Sequence, residues 1–298
     1  MRTAVVSFTT ERPDAGRYVG TGRTGRGEGI VGAASEGDMP ALMPAAHGWL
    51  WLKEAAVLFL GEPWRWSAMV VCCVGMLYIV MSMAPLIGAL LAAFLGPVFA
   101  GGLMLGAQGQ HRGAELKLSV LFQGFFQDCT PLLMVGLLNL FLNVCVVLAL
   151  GAILFVSYLL GMKGGGAGGA LSYLAYNILI IVGVGLPLSL LTAMAVWFVP
   201  SLVALEDRGV LESMKLSFRA TRKNWPAFFV YGLILLGAGA LVGAVFGALE
   251  FFLRSDNAAG ILLLAQLLLV VVGIPALAVV SLSFYTSYRD IFQQGQAG

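Results

Sequence analysis

Five long stretches of this chain contain no Asp, Glu, Lys or Arg: residues 66–111, 129–162, 164–205, 224–249 and 257–288. Each exceeds the roughly 20 apolar residues that cross a bilayer core as one helix. Helices are the form such stretches take in lipid, because they satisfy every main-chain N–H and C=O within the segment. The first stretch is long enough for two crossings and is divided by Ala84-Pro85, a natural hairpin corner. Six spans result, at about residues 67–83, 86–107, 131–160, 171–205, 227–249 and 261–288. The chain therefore reads as an all-α integral membrane protein. Its six transmembrane helices form three hairpins, each preceded by an amphipathic interfacial helix. The third and fourth spans are longer than a bilayer is thick, so they must tilt, bend or project. Composition agrees: 11% of residues are charged, against about 25% in a soluble domain.

Residues 1–45 differ. They are rich in Gly and Arg without apolar periodicity, which predicts a disordered tail. The tail lacks the apolar core of a secretory signal, and translation from Met39 or Met43 would omit it. Its arginines are too diluted by glycine to bind nucleic acid or acidic lipid, and no nucleic-acid partner is expected. The membrane domain runs over residues 46–292, and 293–298 form a short tail.

Three charged connectors precede the hairpins. The first places Trp49, Leu52, Ala56 and Phe59 on one side, with Trp49, Trp51, Trp64 and Trp66 around them. Tryptophans beside an apolar span mark the headgroup level. In the second, Leu118, Leu121, Phe122 and Phe125 follow the i, i+3, i+4, i+7 pattern of an amphipathic helix. The third, residues 200–226, is the most densely charged. There Val210, Leu211, Met214, Phe218 and Trp225 fall within about 100° of helical arc. Lys215, Arg219, Arg222 and Lys223 cover the opposite side. A helix apolar on one side and basic on the other lies in a membrane interface. The candidate contact residues for lipid or a partner are Lys215, Arg219, Arg222, Lys223, Phe218 and Trp225.

The connectors recur in register. Arg112-Gly113 and Arg208-Gly209 are each followed by Lys-Leu-Ser, then aromatics, then the proline that opens a span, Pro131 or Pro226. Residues 53–63 are a shorter copy. The returning spans each carry an interruption, at Gly96-Pro97, Gly185-Leu-Pro187 and Gly273-Ile-Pro275. The unit is one amphipathic helix plus a two-span hairpin, used three times. Lys53, Arg65, Arg112, Lys117, Arg208, Lys215, Arg219, Arg222, Lys223 and Arg289 lie on one side of the membrane, Lys163 and Arg254 on the other. The positive-inside rule then puts both termini in the cytoplasm.

Three motifs carry a resemblance: G-W-x-W-[LI]-K-E-[AG] at residues 48–55, P-V-F-x-[AG]-G-L-M at 97–104, and R-G-x-x-L-x-x-x-x-L-F-x-G-F at 112–125. Together they resemble an uncharacterised family of bacterial six-span inner-membrane proteins, over about residues 47–292. The repeat is more distantly similar to the membrane domain fused to some glycerophosphodiester phosphodiesterases, whose catalytic domain has no counterpart here. The resemblance implies topology and compartment and supplies no reaction.

No chemistry is legible beside it. Cys72, Cys73, Cys129, Cys145, His47 and His111 lack metal-ligand spacing, and no catalytic or cofactor motif is present. No metal, cofactor or enzymatic activity is expected. Polar residues within the spans read as packing devices. Asn139 and Asn143 share a face of the third span, Asn177 and Gln266 lie in the fourth and sixth, and such amides hydrogen-bond between helices. Gly239, Gly243 and Gly247 form a tandem G-x-x-x-G stripe for close helix approach, to another span or another subunit. Two function classes remain. One is a non-enzymatic scaffold or interaction protein that contacts anionic lipid, a protein partner or a second copy through its connectors. The other is a transporter for a small uncharged or amphipathic solute, built on interrupted spans.

Overall fold

The computed structural model describes residues 40–83, 85–126, 129–161, 167–252 and 259–293. Most of the Gly/Arg-rich tail, Lys163 and Arg254 lie outside the described residues.

The described residues are almost wholly helical. Helix α1 (His47–Gly61) precedes the hairpin of α2 (Pro63–Met83) and α3 (Pro85–His111). A 3-10 turn (Leu118–Phe122) and the one-turn α4 (Gln123–Phe126) lead into α5 (Cys129–Gly161). The return is made of α6 (Ala167–Ile180), a π-helical turn (Ile181–Gly185), α7 (Leu186–Val196) and α8 (Val199–Glu206). Helix α9 (Val210–Lys223) then precedes the hairpin of α10 (Trp225–Phe252) and α11 (Ala259–Tyr288), closed by a π-helical turn (Arg289–Gln293). Among the described residues, six stretches are long and apolar enough to cross a membrane, and they coincide with the six spans read from the sequence. The 33 residues of α5 reach roughly 50 Å at 1.5 Å per residue, well beyond a ~30 Å hydrocarbon core.

The connectors depart from the expected uniform pattern. Helix α1 is packed between α10 and α11 rather than laid on a surface. Gly48 makes the crossing with α10: a Cβ there would overlap Ala227 O and lie 2.8 Å from Tyr231 N. The second connector is two short turns instead of one amphipathic helix; Leu121 is fully buried while Leu118 is half exposed. The interruptions also differ from one another. Helices α3 and α11 continue through Pro97 and Pro275. Only the fourth span is broken, by the π-helical turn before Pro187 and again at Trp197-Phe198. Proline lacks an N–H and crowds the carbonyl four residues back, and a π turn relieves both.

The charged connectors gather at one end of the bundle, over a continuous core. Trp51, Trp66, Phe198, Leu202, Tyr285 and Tyr288 are among its members, all at most 1% exposed. Two of the four tryptophans expected at the headgroup level are thus interior residues; only Trp49 and Trp64 are exposed. Their indole N–H groups explain the placement. Trp51 Nε1 donates to Asp290 Oδ2 (2.8 Å) and Trp66 Nε1 to Gln110 Oε1 (2.8 Å). A buried indole needs such an acceptor.

Candidate functional site

Residues 200–226 fold as α8, α9 and the first turn of α10. Helix α8 ends in a left-handed Asp207 (φ 54°), with the Asp207 N–H returning to Leu202 O. This cap turns the chain so that α9 runs back across the junction of α7 and α8.

The face that α9 buries is neither its apolar stripe nor its basic one. Ser213, Leu216, Ser217, Ala220 and Thr221 are buried, and Asn224 continues the row. Small side chains let the helix approach closely, and Ser217 and Thr221 supply hydrogen bonds, whereas Ser213 Oγ is buried without a partner among the described residues. Ser217 Oγ donates to Met194 O (2.9 Å) and accepts from Phe198 N (3.1 Å). In an unbroken helix Phe198 N would donate to Met194 O directly, so the serine hydroxyl is inserted into the ladder at the break. A side chain inserted there is a recognised cause of a kink. Thr221 Oγ1 also reaches Met194 O (3.1 Å). Pro200, lacking an N–H, leaves the next rung open as well.

The expected apolar stripe is divided: Val210 and Met214 pack against the buried cluster of Val98, Leu132, Val135, Val199 and Val203, and the rest faces outward. Leu211 is 68% and Trp225 63% exposed, and Met214 and Phe218 are half-buried. Of the basic residues Lys223 lies opposite the stripe, and the buried row flanks the stripe along one edge. At 100° per residue, Lys215, Arg219 and Arg222 adjoin the stripe along its other edge. All three are exposed and form no ion pair among the described residues. Lys223 is different: its Nζ donates to Pro40 O (2.7 Å).

That contact corrects the boundary of the tail. Residues 40–45, expected to be disordered, are held at the end of α9. Asn224 Oδ1 accepts from Met43 N (2.7 Å), Asn224 Nδ2 donates to Ala41 O (2.9 Å), and Ala41 N donates to Ile291 O (2.9 Å). Next to this clasp, Asp290 is 6% exposed and accepts from Trp51 while its Oδ2 lies 2.7 Å from His47 Nδ1. Arg289 joins Glu54 (2.6 Å), and Tyr288 donates to Glu206 (2.6 Å), which also pairs with Arg208. These polar partners span up to 243 positions of sequence. Only their residue types were visible in the chain, and no local pattern joins them.

The remaining packing residues are placed otherwise than expected. Asn143 Nδ2 donates to Asn139 O (2.7 Å) and Asn139 Oδ1 (3.0 Å), and Asn177 to Tyr173 O, all within their own helices. A Cβ at Gly239, Gly243 or Gly247 would meet nothing within 4 Å. Among the described residues, nothing from another span packs against the stripe. No group of three or more His, Cys, Asp or Glu residues suited to a metal ion occurs among the described residues.

Residues 51–294 match a family described as Domain of unknown function (DUF7847). The chain belongs to this family. A probable inner membrane protein of Burkholderia thailandensis is 25% identical over 264 residues, covering 85% of this chain and 94% of that protein. No solved structure matches. Membership bears out the resemblance to an uncharacterised membrane family, and the structure gives its motifs a physical role. Gly48 lets α1 cross α10, and Trp51 and Glu54 of the same motif reach Asp290 and Arg289. The second and third motifs meet each other: a Cβ at Gly102 would overlap Leu121 O, and one at Gly124 would lie 2.7 Å from Val98 O. They are packing seams at the charged end.

Proposed function

We propose that this is a non-enzymatic inner-membrane protein that engages anionic lipid through α9, with both termini in the cytoplasm. The observation that carries the reading is the outward face of α9, where the exposed part of the apolar stripe runs beside three unpaired cations. That face suits the boundary between hydrocarbon and headgroups. Each cation adds about 1 kcal/mol of attraction to an anionic surface, decaying within a Debye length. The inner-membrane compartment is supported by the name of the Burkholderia relative, and the orientation by the excess of Lys and Arg at one end.

Hydrogen-exchange mass spectrometry of the full chain tests the reading. In phosphatidylglycerol nanodiscs the α9 amides exchange slowly, and in phosphatidylcholine nanodiscs, or in Lys215→Gln/Arg219→Gln/Arg222→Gln, faster. Rapid exchange throughout α9 in the unmodified protein on anionic nanodiscs overturns it. If the charge change instead releases a co-purified protein and leaves lipid contact intact, α9 is a protein-docking helix. Orientation is tested separately, in a background without the four native cysteines. Ala114→Cys and Lys215→Cys stay protected from an impermeant external thiol reagent, whereas Gly165→Cys and Ser255→Cys react. Ser213 and Gly113 are unsuitable sites, the first buried and the second at φ 81°.

One observation favours a transporter as the second reading: the fourth span is interrupted twice, and broken helices build midplane sites in transporters. Uptake of an uncharged solute into proteoliposomes would support it.

A further inference from the structure

Helix α7 is flanked by two apolar grooves. On one side Leu150 of α5 faces Ile181 and Ser189 across a cavity of about 430 Å³. On the other, Trp225, Phe229, Gly232 and Leu236 of α10 face α7 across about 580 Å³. Leu186, Leu190 and Ala193 line both. Where α9 meets the end of α7, a third hollow of about 440 Å³ is lined by Ala195, Met214 and Phe218 together with the cations Lys215 and Arg219. Each volume falls in the range of roughly 300–1,000 Å³ typical of small-molecule sites.

We infer that these hollows form one binding site for a diacyl anionic phospholipid taken from the bilayer. Lys215 and Arg219 hold its phosphate, and one acyl chain lies in each groove beside α7. The inference rests on the membrane-surface reading of α9 and adds to it a defined ligand and pose.

Polarity, direction and length all fit. The cations stand at the α9 end, where Ala195 of their hollow is two residues from Ala193, which lines both grooves, and the groove walls are almost wholly apolar. The hydroxyl of Thr221, which borders the larger groove, is already engaged by Met194 O. Apart from Ser189 in the smaller groove and Trp197, whose Nε1 has no partner among the described residues, in the larger, the walls offer a polar solute little to bond to, whereas an acyl chain needs nothing. The 11 residues of α7 extend roughly 16 Å, close to the ~15 Å half-thickness of the hydrocarbon core. A lipid of one leaflet matches that depth. An anionic headgroup is selected over a zwitterionic one because no acidic side chain lines the hollow beside Lys215 and Arg219.

Native mass spectrometry of the full chain in mild detergent provides the test, with phosphatidylglycerol, phosphatidylcholine and lyso-phosphatidylglycerol as probes. One phosphatidylglycerol should be retained at least tenfold more tightly than either of the others. The lyso-lipid carries the same headgroup and fills only one groove. Gly232→Phe should weaken phosphatidylglycerol retention at least tenfold without changing α9 exchange in anionic nanodiscs. A Cβ at Gly232 meets nothing within 4 Å, so the ring enters the groove rather than the backbone. Ser189→Phe fills the opposite groove and should act alike. Lys215→Gln/Arg219→Gln should abolish the preference over phosphatidylcholine. Equal retention of the diacyl and lyso lipids overturns the inference and needs no variant that folds. So does unaltered binding in both groove variants, or a ladder of bound lipids without headgroup preference. In those cases slow α9 exchange on anionic nanodiscs leaves the surface reading standing; rapid exchange removes both.

Discussion

At the charged end, α1, α3 and α11 meet through glycines, indoles and carboxylates, whereas the far half of α10 touches almost nothing. Of the most apolar stretch of α3, 39% is buried; of that of α10, 6%. Both are equally suited to lipid by composition. The difference lies in what can hold helices together once water is absent. Apolar contact between helices replaces apolar contact with lipid and gains little, so close approach and hydrogen bonds must do the work. The charged end has both, at Gly48, Gly102 and Gly124 and around Asp290. The far half of α10 has glycines with nothing opposite them.

That contrast can be broken, most severely at the core. Trp51→Ala removes the indole donor to Asp290 and the ring that packs on Phe228 at 5.0 Å. A loss of about 3–5 kcal/mol is expected from such a truncation, read by denaturant unfolding in detergent; a loss below 1 kcal/mol would deny the core its role.

A smaller effect is expected where α9 crosses the break. Ser217→Ala leaves Phe198 N without its acceptor, while Met194 O keeps Thr221 Oγ1, at about 1–3 kcal/mol for an unsatisfied buried group. Faster amide exchange should be confined to residues 194–202. Asn224→Ala removes three hydrogen bonds to the clasp and the end of α9. It should release residues 40–45 to fast exchange at a cost of about 1–2 kcal/mol. Deleting residues 1–38 leaves the clasp in place and should leave the melting profile unchanged.

The smallest effect belongs to the far half of α10. Gly243→Leu should leave unfolding unchanged or raise it by up to about 1 kcal/mol through helix propensity. A fall in stability or a change in oligomeric size would show that a second copy covers the stripe and would narrow the contrast between the two regions.

The six spans were legible because hydropathy reports length directly, and their ends agree with the helices to within a few residues. Packing faces were not. In water an apolar stripe such as Leu211, Met214 and Phe218 would mark the side that packs; here Met214 packs in part, Leu211 stays exposed, and Ser213, Ser217 and Thr221 form the buried row. Trp51 and Trp66 misled too, since an indole suits either the headgroups or a core that offers an acceptor. Their acceptors, Asp290 and Gln110, are distant in sequence and carry no signal of partnership. The amides of Asn139 and Asn143 found acceptors one turn away, which the i, i+4 spacing permits as readily as an interhelical bond.

One hydroxyl ties the surface of this protein to its interior. Because Ser217 fills the rung between Met194 and Phe198, the seating of α9 and the bend of the fourth span are a single mechanical variable. Lifting α9 away strands Met194 O and Phe198 N in apolar surroundings, where each is the other's ordinary helical partner.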